Sequence, residues 1–216
     1  MDNLAKYIEH TLLKQDATQE DLVKLFDEAK QNNFKGVCVN PVNVGMAKRY
    51  LLDTKVKVVT VVGFPLGASV SEVKAFEAKK AIKDGADEVD MVINVSAIKD
   101  KDYELVKNDI IAVKEACGNN VLKVILETDL LTQDEIIKAC ELCVEAKADF
   151  VKTSTGFVKN GVGAKVEDVK IMVSIVKPHG LGVKASAGIR DKQKAIDMVE
   201  AGADRLGTSS GVAIIS

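Results

Sequence analysis

Short apolar runs alternate with longer amphipathic stretches along most of the chain. Eight runs rich in valine and isoleucine predict strands, at residues 8–13, 36–40, 57–63, 88–94, 121–127, 150–155, 182–188 and 205–211. Between them, apolar residues recur with helical spacing at 18–33, 71–85, 132–147 and 165–177. Near-continuous apolar strands are typical of a parallel sheet covered on both faces, and their alternation with helices indicates repeated βα units.

Eight βα units within 216 residues predict one α/β domain over residues 1–216, a closed (β/α)8 TIM barrel. The pair Ala-Asp precedes three predicted strands, in DGADEVDMV, AKADFVKTS and AGADRLGTS, which indicates a weak internal repeat. No linker rich in proline, glycine or serine divides the chain. An open doubly wound sheet is the alternative, but such sheets usually carry a GxGxxG loop, which this sequence lacks.

Composition and charge narrow the range of partners. Hydrophobic residues make up 47% of the chain and charged residues 29%, which excludes a disordered protein. The balance of 30 basic against 32 acidic residues gives a net charge of −2 and predicts no nucleic-acid surface. No segment approaches the about 18 apolar residues of a membrane span, and the first residues lack a signal-peptide pattern. We therefore expect no membrane association and a cytoplasmic location.

The cysteines and histidines do not predict a metal or redox site. Cys140 and Cys143 lie one turn apart in a helical pattern, without a second pair or a nearby histidine, which favours packing within a helix. His10 and His179 are the only histidines and are far apart in the chain, so structural roles are expected for both. We expect neither a metal nor a cofactor.

Four charged residues interrupt strands that should be buried on both faces. Asp90, Lys123, Lys152 and Lys184 lie in the fourth to the seventh predicted strand. A charge within a buried strand is costly unless it is paired or functional. The lysines could extend outward between the helices with their ammonium groups in water. Their occurrence on four consecutive strands instead favours inward side chains that converge on one small volume.

Converging lysines are suited to Schiff-base chemistry. A lysine amine attacks a carbonyl only when it is unprotonated, and burial or a second ammonium group lowers the pKa of such an amine. A carboxylate beside it can carry protons. The resulting imine accepts electrons while an adjacent carbon–carbon bond breaks or forms.

The loops after the last strands are rich in glycine and small hydroxyl residues, in TSTG (153–156), SAGIR (186–190) and GTSSG (207–211). Barrels often bind phosphate at the loops after strands seven and eight, helped by the N-terminus of a short helix. The sequence GVAIIS, which follows, could begin such a helix. Together with the buried lysines, these loops predict a phosphorylated carbonyl substrate.

The motifs FVKTSTGF, EVDMVIN, LKVILET, VKASAGIR and GTSSG closely resemble the 2-deoxyribose-5-phosphate aldolases, a family of class I, Schiff-base enzymes, and YIEHTLLK and GVCVNP extend the match along the chain. The resemblance implies that Lys152 forms the Schiff base and that Lys184 depresses its pKa and exchanges protons. Asp90 would relay protons through water, and Lys123 would line the site and hold the aspartate.

The same resemblance matches Gly156, Gly188, Ser209 and Ser210 to phosphate-loop positions, to which the loop composition adds Thr155 and Gly207. It implies reversible cleavage of 2-deoxy-D-ribose 5-phosphate to D-glyceraldehyde 3-phosphate and acetaldehyde. The family is cytoplasmic, requires no cofactor and is often dimeric, so a homodimer is expected.

Three residues depart from the family pattern. Ala187 stands where a glycine is common, and phosphate binding weakens if that backbone needs a positive φ. Glu9 replaces the usual aspartate near the hydroxyl end of the substrate, and Asp129 replaces cysteine or another small residue. These departures leave open a related lysine-dependent aldolase that acts on another phosphosugar. A catalytically silent barrel that senses phosphosugars is a third hypothesis, disfavoured by the intact lysines and aspartate.

Overall fold

Eight parallel strands form a closed barrel in which each strand is hydrogen-bonded to its neighbours in the chain. The computed structural model describes residues 3–216. The last strand closes the barrel on the first, with Gly207 paired to Glu9. The predicted TIM barrel is confirmed, and the alternative of an open doubly wound sheet is wrong. The strands are β1 (Ile8–Leu12), β2 (Gly36–Val39), β3 (Lys57–Val62), β4 (Glu88–Val92), β5 (Val121–Ile125), β6 (Phe150–Lys152), β7 (Gly182–Ser186) and β8 (Arg205–Thr208).

Helices connect the strands, and the four that the periodicity predicts are present with slightly shorter ends. No helix within residues 3–216 is long and apolar enough to cross a membrane. The α-helices are α1 (Gln19–Gln31), α2 (Val44–Tyr50), α3 (Ser71–Asp84), α4 (Val95–Lys99), α5 (Tyr103–Cys117), α6 (Gln133–Glu145), α7 (Val166–Val176), α8 (Lys192–Glu200) and α9 (Gly211–Ile215). Short 3-10 helices lie at Leu4–Tyr7, Pro41–Asn43, Thr128–Leu130 and Lys177–His179.

Local sequence explains where two of the longer helices begin. The Asp21 N–H donates to the Thr18 hydroxyl at 3.2 Å, and the Thr18 N–H donates to the Asp21 carboxylate at 2.9 Å. Thr132 and Glu135 form the same reciprocal pair at the start of α6. Each pair satisfies amide groups that a helix cannot pair within itself. These caps therefore set the first turns of α1 and α6 near the ends of β1 and β5.

The strands separate two apolar regions. On β3, Val58 and Val62 pack outward into the large core between barrel and helices, whereas Val59 and Val61 point into the barrel. This alternation follows from the period of two of a strand. The inner apolar cluster consists of Leu13, Cys38, Val59 and Val61, with Phe64 packed against it. It lies beside β2 and β3, which leaves the side of the interior lined by β4 to β7 for polar groups.

The cysteine pair in α6 belongs to the outer core. Cys140 and Cys143 are fully buried there. Burial raises the pKa of Cys140 to about 12, so its thiol stays protonated at neutral pH. The prediction that this pair serves helix packing is confirmed.

A buried ion pair ties α3 and α5 to β4. Lys74 of α3 is fully buried, and its Nζ lies 2.6 Å from Asp109 Oδ2 of α5. The same ammonium group donates to the carbonyl oxygen of Val92, the last residue of β4, at 3.0 Å. The two residues are 35 positions apart in the chain, and the pair fixes β4 against both helices.

Replacing Asp109 by Ala should lower the free energy of unfolding by about 3–5 kcal/mol, because the buried Lys74 ammonium would lose its counter-charge. A Lys74→Met, Asp109→Leu double variant should recover most of this loss, since it buries no charge. Urea titrations followed by circular dichroism measure both. A loss below about 1 kcal/mol in the single variant would contradict a structural role for the pair.

Candidate active site

The four charged residues of the central strands meet inside the barrel. Asp90 of β4 is paired in register with Lys123 of β5, and Lys152 of β6 with Lys184 of β7. Lys123 donates to Asp90 Oδ1 at 3.1 Å, while Lys152 and Lys184 donate to Asp90 Oδ2 at 2.8 and 2.7 Å. The lysines therefore point into the barrel, and the alternative that they extend outward between the helices is wrong. One carboxylate accepts hydrogen bonds from three lysine side chains.

Two further carboxylates belong to this cluster. Glu9 of β1 accepts a hydrogen bond from Lys184, and its Oε1 lies 3.4 Å from Lys123 Nζ and 3.7 Å from Arg205 Nε. Because β1 and β5 face each other across an eight-stranded barrel, this contact crosses the interior. Glu88 forms an ion pair with Lys123. Three carboxylates thus surround the three lysines, and Glu9 is fully buried among them.

The cluster holds its members in defined charge states. Burial alone would raise the pKa of Asp90, but the lysines, Lys123 foremost, outweigh it and hold this pKa well below the usual range. Burial alone would lower the pKa of Lys184, but Asp90 and Glu9 outweigh it and raise this pKa above its ordinary value. The pKa of Lys123 is raised in the same way. At neutral pH, Asp90 is therefore an anion, and Lys123 and Lys184 are protonated.

A cavity of about 320 Å³ opens at the carboxyl ends of the strands, above this cluster. Lys152 lines it, whereas Asp90, Lys123 and Lys184 are 0% exposed and lie behind. Of the cluster, Lys152 is therefore the member that a molecule in the cavity can contact. The cavity is lined by residues 11–14, 152, 154–157, 186–190 and 207–209.

Five of the six predicted phosphate-loop residues line this cavity, namely Thr155, Gly156, Gly188, Gly207 and Ser209. Gly156 and Gly188 have φ values of 84° and 71°, in the left-handed region that favours glycine. Gly207 has a different constraint, because a Cβ there would lie 2.8 Å from the Cβ of Ser186 and 3.0 Å from Lys184 Cε. The absence of a side chain at Gly207 thus makes room for the lysine cluster.

Two of the six predicted phosphate-loop residues, Thr155 and Ser210, use their donor groups within the protein. Thr155 lines the cavity, but its N–H and its hydroxyl both donate to the buried carboxylate of Glu127. Ser210 is not among the lining residues, and its N–H donates to the Thr208 hydroxyl at 2.9 Å. The sequence analysis did not identify Glu127 as a residue of the site. An acidic residue directly after an apolar strand is the signal that could have indicated it.

Ala187 has a φ of 67°. Its backbone thus has the positive φ that the sequence analysis named as the condition for weaker phosphate binding. A non-glycine residue in this region is mildly strained. Ala187 also lines the cavity beside Gly188. Its methyl group therefore stands at the predicted phosphate loop in a conformation that glycine adopts without strain.

Neither histidine reaches the lysine cluster. His10 is buried, with its Nε2 2.7 Å from Glu28 Oε2 and its ring edge-on to Phe34. His179 is exposed in a short 3-10 helix. The contacts of His10 agree with the expected structural role, whereas His179 lies on the surface. Within residues 3–216, no group of three or more histidine, cysteine or acidic side chains is arranged to hold a metal ion.

Comparisons with known proteins agree on one family. Residues 4–216 match the model of the DeoC/LacD family aldolases. A deoxyribose-phosphate aldolase of Thermococcus gammatolerans is 58% identical over 99% of this chain and 95% of its own, and that of Brevibacillus brevis is 57% identical over 99% and 96%. The deoxyribose phosphate aldolase of Aeropyrum pernix, solved as a tetramer, superimposes with a TM-score of 0.89 at 36% identity, over 98% of this chain and 89% of that one. The chain belongs to the DeoC/LacD family of aldolases.

Proposed function

We propose that this chain is one domain that reversibly cleaves 2-deoxy-D-ribose 5-phosphate to D-glyceraldehyde 3-phosphate and acetaldehyde through a Schiff base on Lys152. The observation that carries the proposal is that Lys152 alone among the clustered lysines lines the cavity while it shares Asp90 Oδ2 with Lys184. The names of the 57–58% identical relatives support the choice of substrate.

In the proposed reaction, the Lys152 amine adds to C1 of the open-chain sugar, and loss of water leaves a protonated imine. The imine draws in the electrons of the C2–C3 bond while the C3 hydroxyl loses its proton, which releases glyceraldehyde 3-phosphate. The enamine of acetaldehyde that remains on Lys152 takes up a proton at C2, and water hydrolyses the imine. Asp90 moves these protons through a water molecule.

The neighbours of Lys152 favour this chemistry by their charge. Lys184 remains protonated on the same oxygen of Asp90, and a second ammonium group beside it is electrostatically unfavourable. Lys123 binds the other oxygen of Asp90 and keeps the carboxylate oriented. No cofactor takes part in any of these steps.

The phosphate group would bind at the far end of the cavity, on backbone N–H groups near Gly156, Gly188 and Ser209. Thr155, Gly207 and Ser210 support these loops in our proposal rather than contact phosphate. Loops that hold phosphate through backbone amides require close approach, which glycine permits. A related aldolase acting on another phosphosugar is the second candidate, favoured by the buried Glu9 and the left-handed Ala187.

We also propose that the protein acts in the cytoplasm as a homodimer. Phosphosugars are charged metabolites handled inside cells. Apolar side chains exposed around α3 would be covered by a second copy, at Val42, Leu66, Val70, Val73 and Phe76.

Light scattering should give twice the chain mass for the native protein and a lower mass for Phe76→Ser, with Leu105→Ser as an exposed control elsewhere. A native monomer would contradict the dimer.

Replacing Lys152 by Ala should abolish cleavage, with a loss of at least about a thousandfold, because Lys152 is the only lysine of the buried cluster that lines the cavity. Glyceraldehyde 3-phosphate released from 2-deoxyribose 5-phosphate measures the activity. Lys147 is an exposed lysine just before the start of β6, whereas Lys152 ends this strand. Lys147→Ala is the matched control and should retain full activity. Native protein that releases no glyceraldehyde 3-phosphate, or an active Lys152→Ala variant, would overturn the proposal.

Replacing Lys184 by Met should reduce activity at neutral pH by orders of magnitude and restore part of it at alkaline pH. Lys184 is cationic at neutral pH because its pKa is raised, so its removal lets Lys152 keep its proton more readily. Raising the pH then removes that proton and regenerates the nucleophile. The pH profile of kcat/KM checks this prediction. A profile that falls evenly at every pH would mean that Lys184 does not act through its charge on Lys152.

A further inference from the structure

Two acidic side chains after β5, Glu127 and Asp129, have no part in the proposed chemistry. Glu127 is 3% exposed and the Asp129 side chain 8%. Glu127 also has a φ of 60°, a left-handed conformation that an ordinary residue adopts only when its surroundings impose it. Buried carboxylates are costly unless their oxygens are satisfied, so their partners indicate what they do.

Glu127 holds the first part of the loop that follows Lys152. The Thr155 N–H donates to Glu127 Oε1 at 3.0 Å, and the Thr155 hydroxyl donates to Oε2. The Phe157 N–H in turn donates to the Thr155 hydroxyl oxygen at 3.0 Å. One carboxylate therefore fixes residues 155–157, which include the cavity-lining Gly156.

Asp129 holds the far end of the same loop. Its Oδ2 accepts a hydrogen bond from the Gly163 N–H at 2.8 Å, and its Oδ1 lies 3.5 Å from Lys165 Nζ. A Cβ at Gly161 would lie 2.8 Å from Asp129 Oδ2, so the backbone passes directly over the carboxylate. The two acidic residues thus hold the 155–165 loop at both ends.

The held loop packs backbone to backbone against the loop after β7. The Ala164 N–H donates to the Ala187 carbonyl oxygen at 3.1 Å. A Cβ at Gly163 would lie 2.5 Å from that oxygen, and a Cβ at Gly188 would lie 2.3 Å from the Val162 carbonyl oxygen. The two backbones are in direct contact at these points, so the position of residues 161–164 sets that of Ala187 and Gly188.

We propose that Glu127 and Asp129 are positioning residues that hold the 155–165 loop against Ala187 and Gly188, and that they thereby set the affinity for the phosphate group of the substrate. This inference rests on the proposed function for the nature of the substrate. Neither residue contacts the Lys152 amine, which Asp90 holds from within the barrel. The two carboxylates therefore govern binding of phosphorylated sugars and leave bond cleavage in an unphosphorylated sugar unchanged.

The direction in which substrate affinity changes distinguishes a positioning role from a purely electrostatic one. Two anions near a phosphate site would repel a phosphorylated substrate, so their neutralisation would strengthen binding if charge alone mattered. If they position the loop, their removal weakens binding, because the amide groups aimed at phosphate lose their alignment.

Asp129→Ala should raise the KM for 2-deoxyribose 5-phosphate about tenfold, the size expected for one lost hydrogen bond to a charged group. Its kcat/KM for unphosphorylated 2-deoxyribose should stay within about twofold of the native value. Asp129→Asn keeps an acceptor for the Gly163 N–H and loses only the half-exposed pair with Lys165, so its KM should change less than about threefold. Asp134→Ala, which removes an exposed carboxylate from the first turn of α6, is the matched control.

Glu127→Gln provides a second, conservative variant, in case thermal melting shows that Asp129→Ala does not fold. The glutamine amide has one acceptor oxygen where the carboxylate has two. Glu127→Gln should therefore also raise the KM for the phosphorylated sugar, and not that for the unphosphorylated sugar. An unchanged or lowered KM in folded Asp129→Ala or in Glu127→Gln, or an equal loss with both sugars, would overturn the proposal.

Binding of inorganic phosphate, measured by phosphorus-31 line broadening, separates this inference from the proposed function. The native protein should bind phosphate, and Asp129→Ala should bind it about tenfold more weakly. If the native protein cleaves neither sugar, the proposed function fails and this titration alone decides the positioning role. Phosphate affinity that is equal in the native protein and Asp129→Ala would overturn the inference.

Discussion

The buried carboxylate of Asp90 is the interaction on which the rest of the site depends. It accepts hydrogen bonds from three lysines of the three following strands, in an interior where each unpaired charge would be strongly unfavourable. Removing Asp90 would take the carboxylate partner of Lys152 and leave Lys123 and Lys184 with Glu9 and Glu88. The cluster therefore requires β4 to β7 to keep their register, which the Lys74–Asp109 pair helps to secure from outside the barrel.

The barrel divides its interior between packing and chemistry. Valine, leucine and cysteine side chains fill the part near β2 and β3, while charged side chains from β1 and β4 to β7 fill the remainder. The charged part is closed below and opens to the cavity only at Lys152. A closed strand ladder fixes each amine, whereas the loops above shape the cavity through glycines and backbone hydrogen bonds. This division allows the geometry of the loops to govern which substrate binds, while the lysine cluster governs the reaction.

Much of this arrangement was predictable because it depends on local periodicity. Strands and helices follow from spacing of apolar residues, and charges on four consecutive parallel strands must lie near one another if they point inward. Glu88 was missed, although it lies two residues before Asp90 and so on the same face of β4. The path of the 155–165 loop depends on Glu127 and Asp129, whose partners lie about thirty residues away. Such pairs have no local pattern, so the sequence did not indicate that both donors of Thr155 are bound to Glu127.

The central claim is that the buried cluster presents one reactive amine, that of Lys152, to the cavity. The most direct test is reduction with borohydride in the presence of acetaldehyde, followed by measurement of the intact mass and mapping of the modified peptide. Our account predicts one added ethyl group per chain, located on Lys152. An ethyl group on Lys123 or Lys184, or no modification of the folded protein, would contradict it.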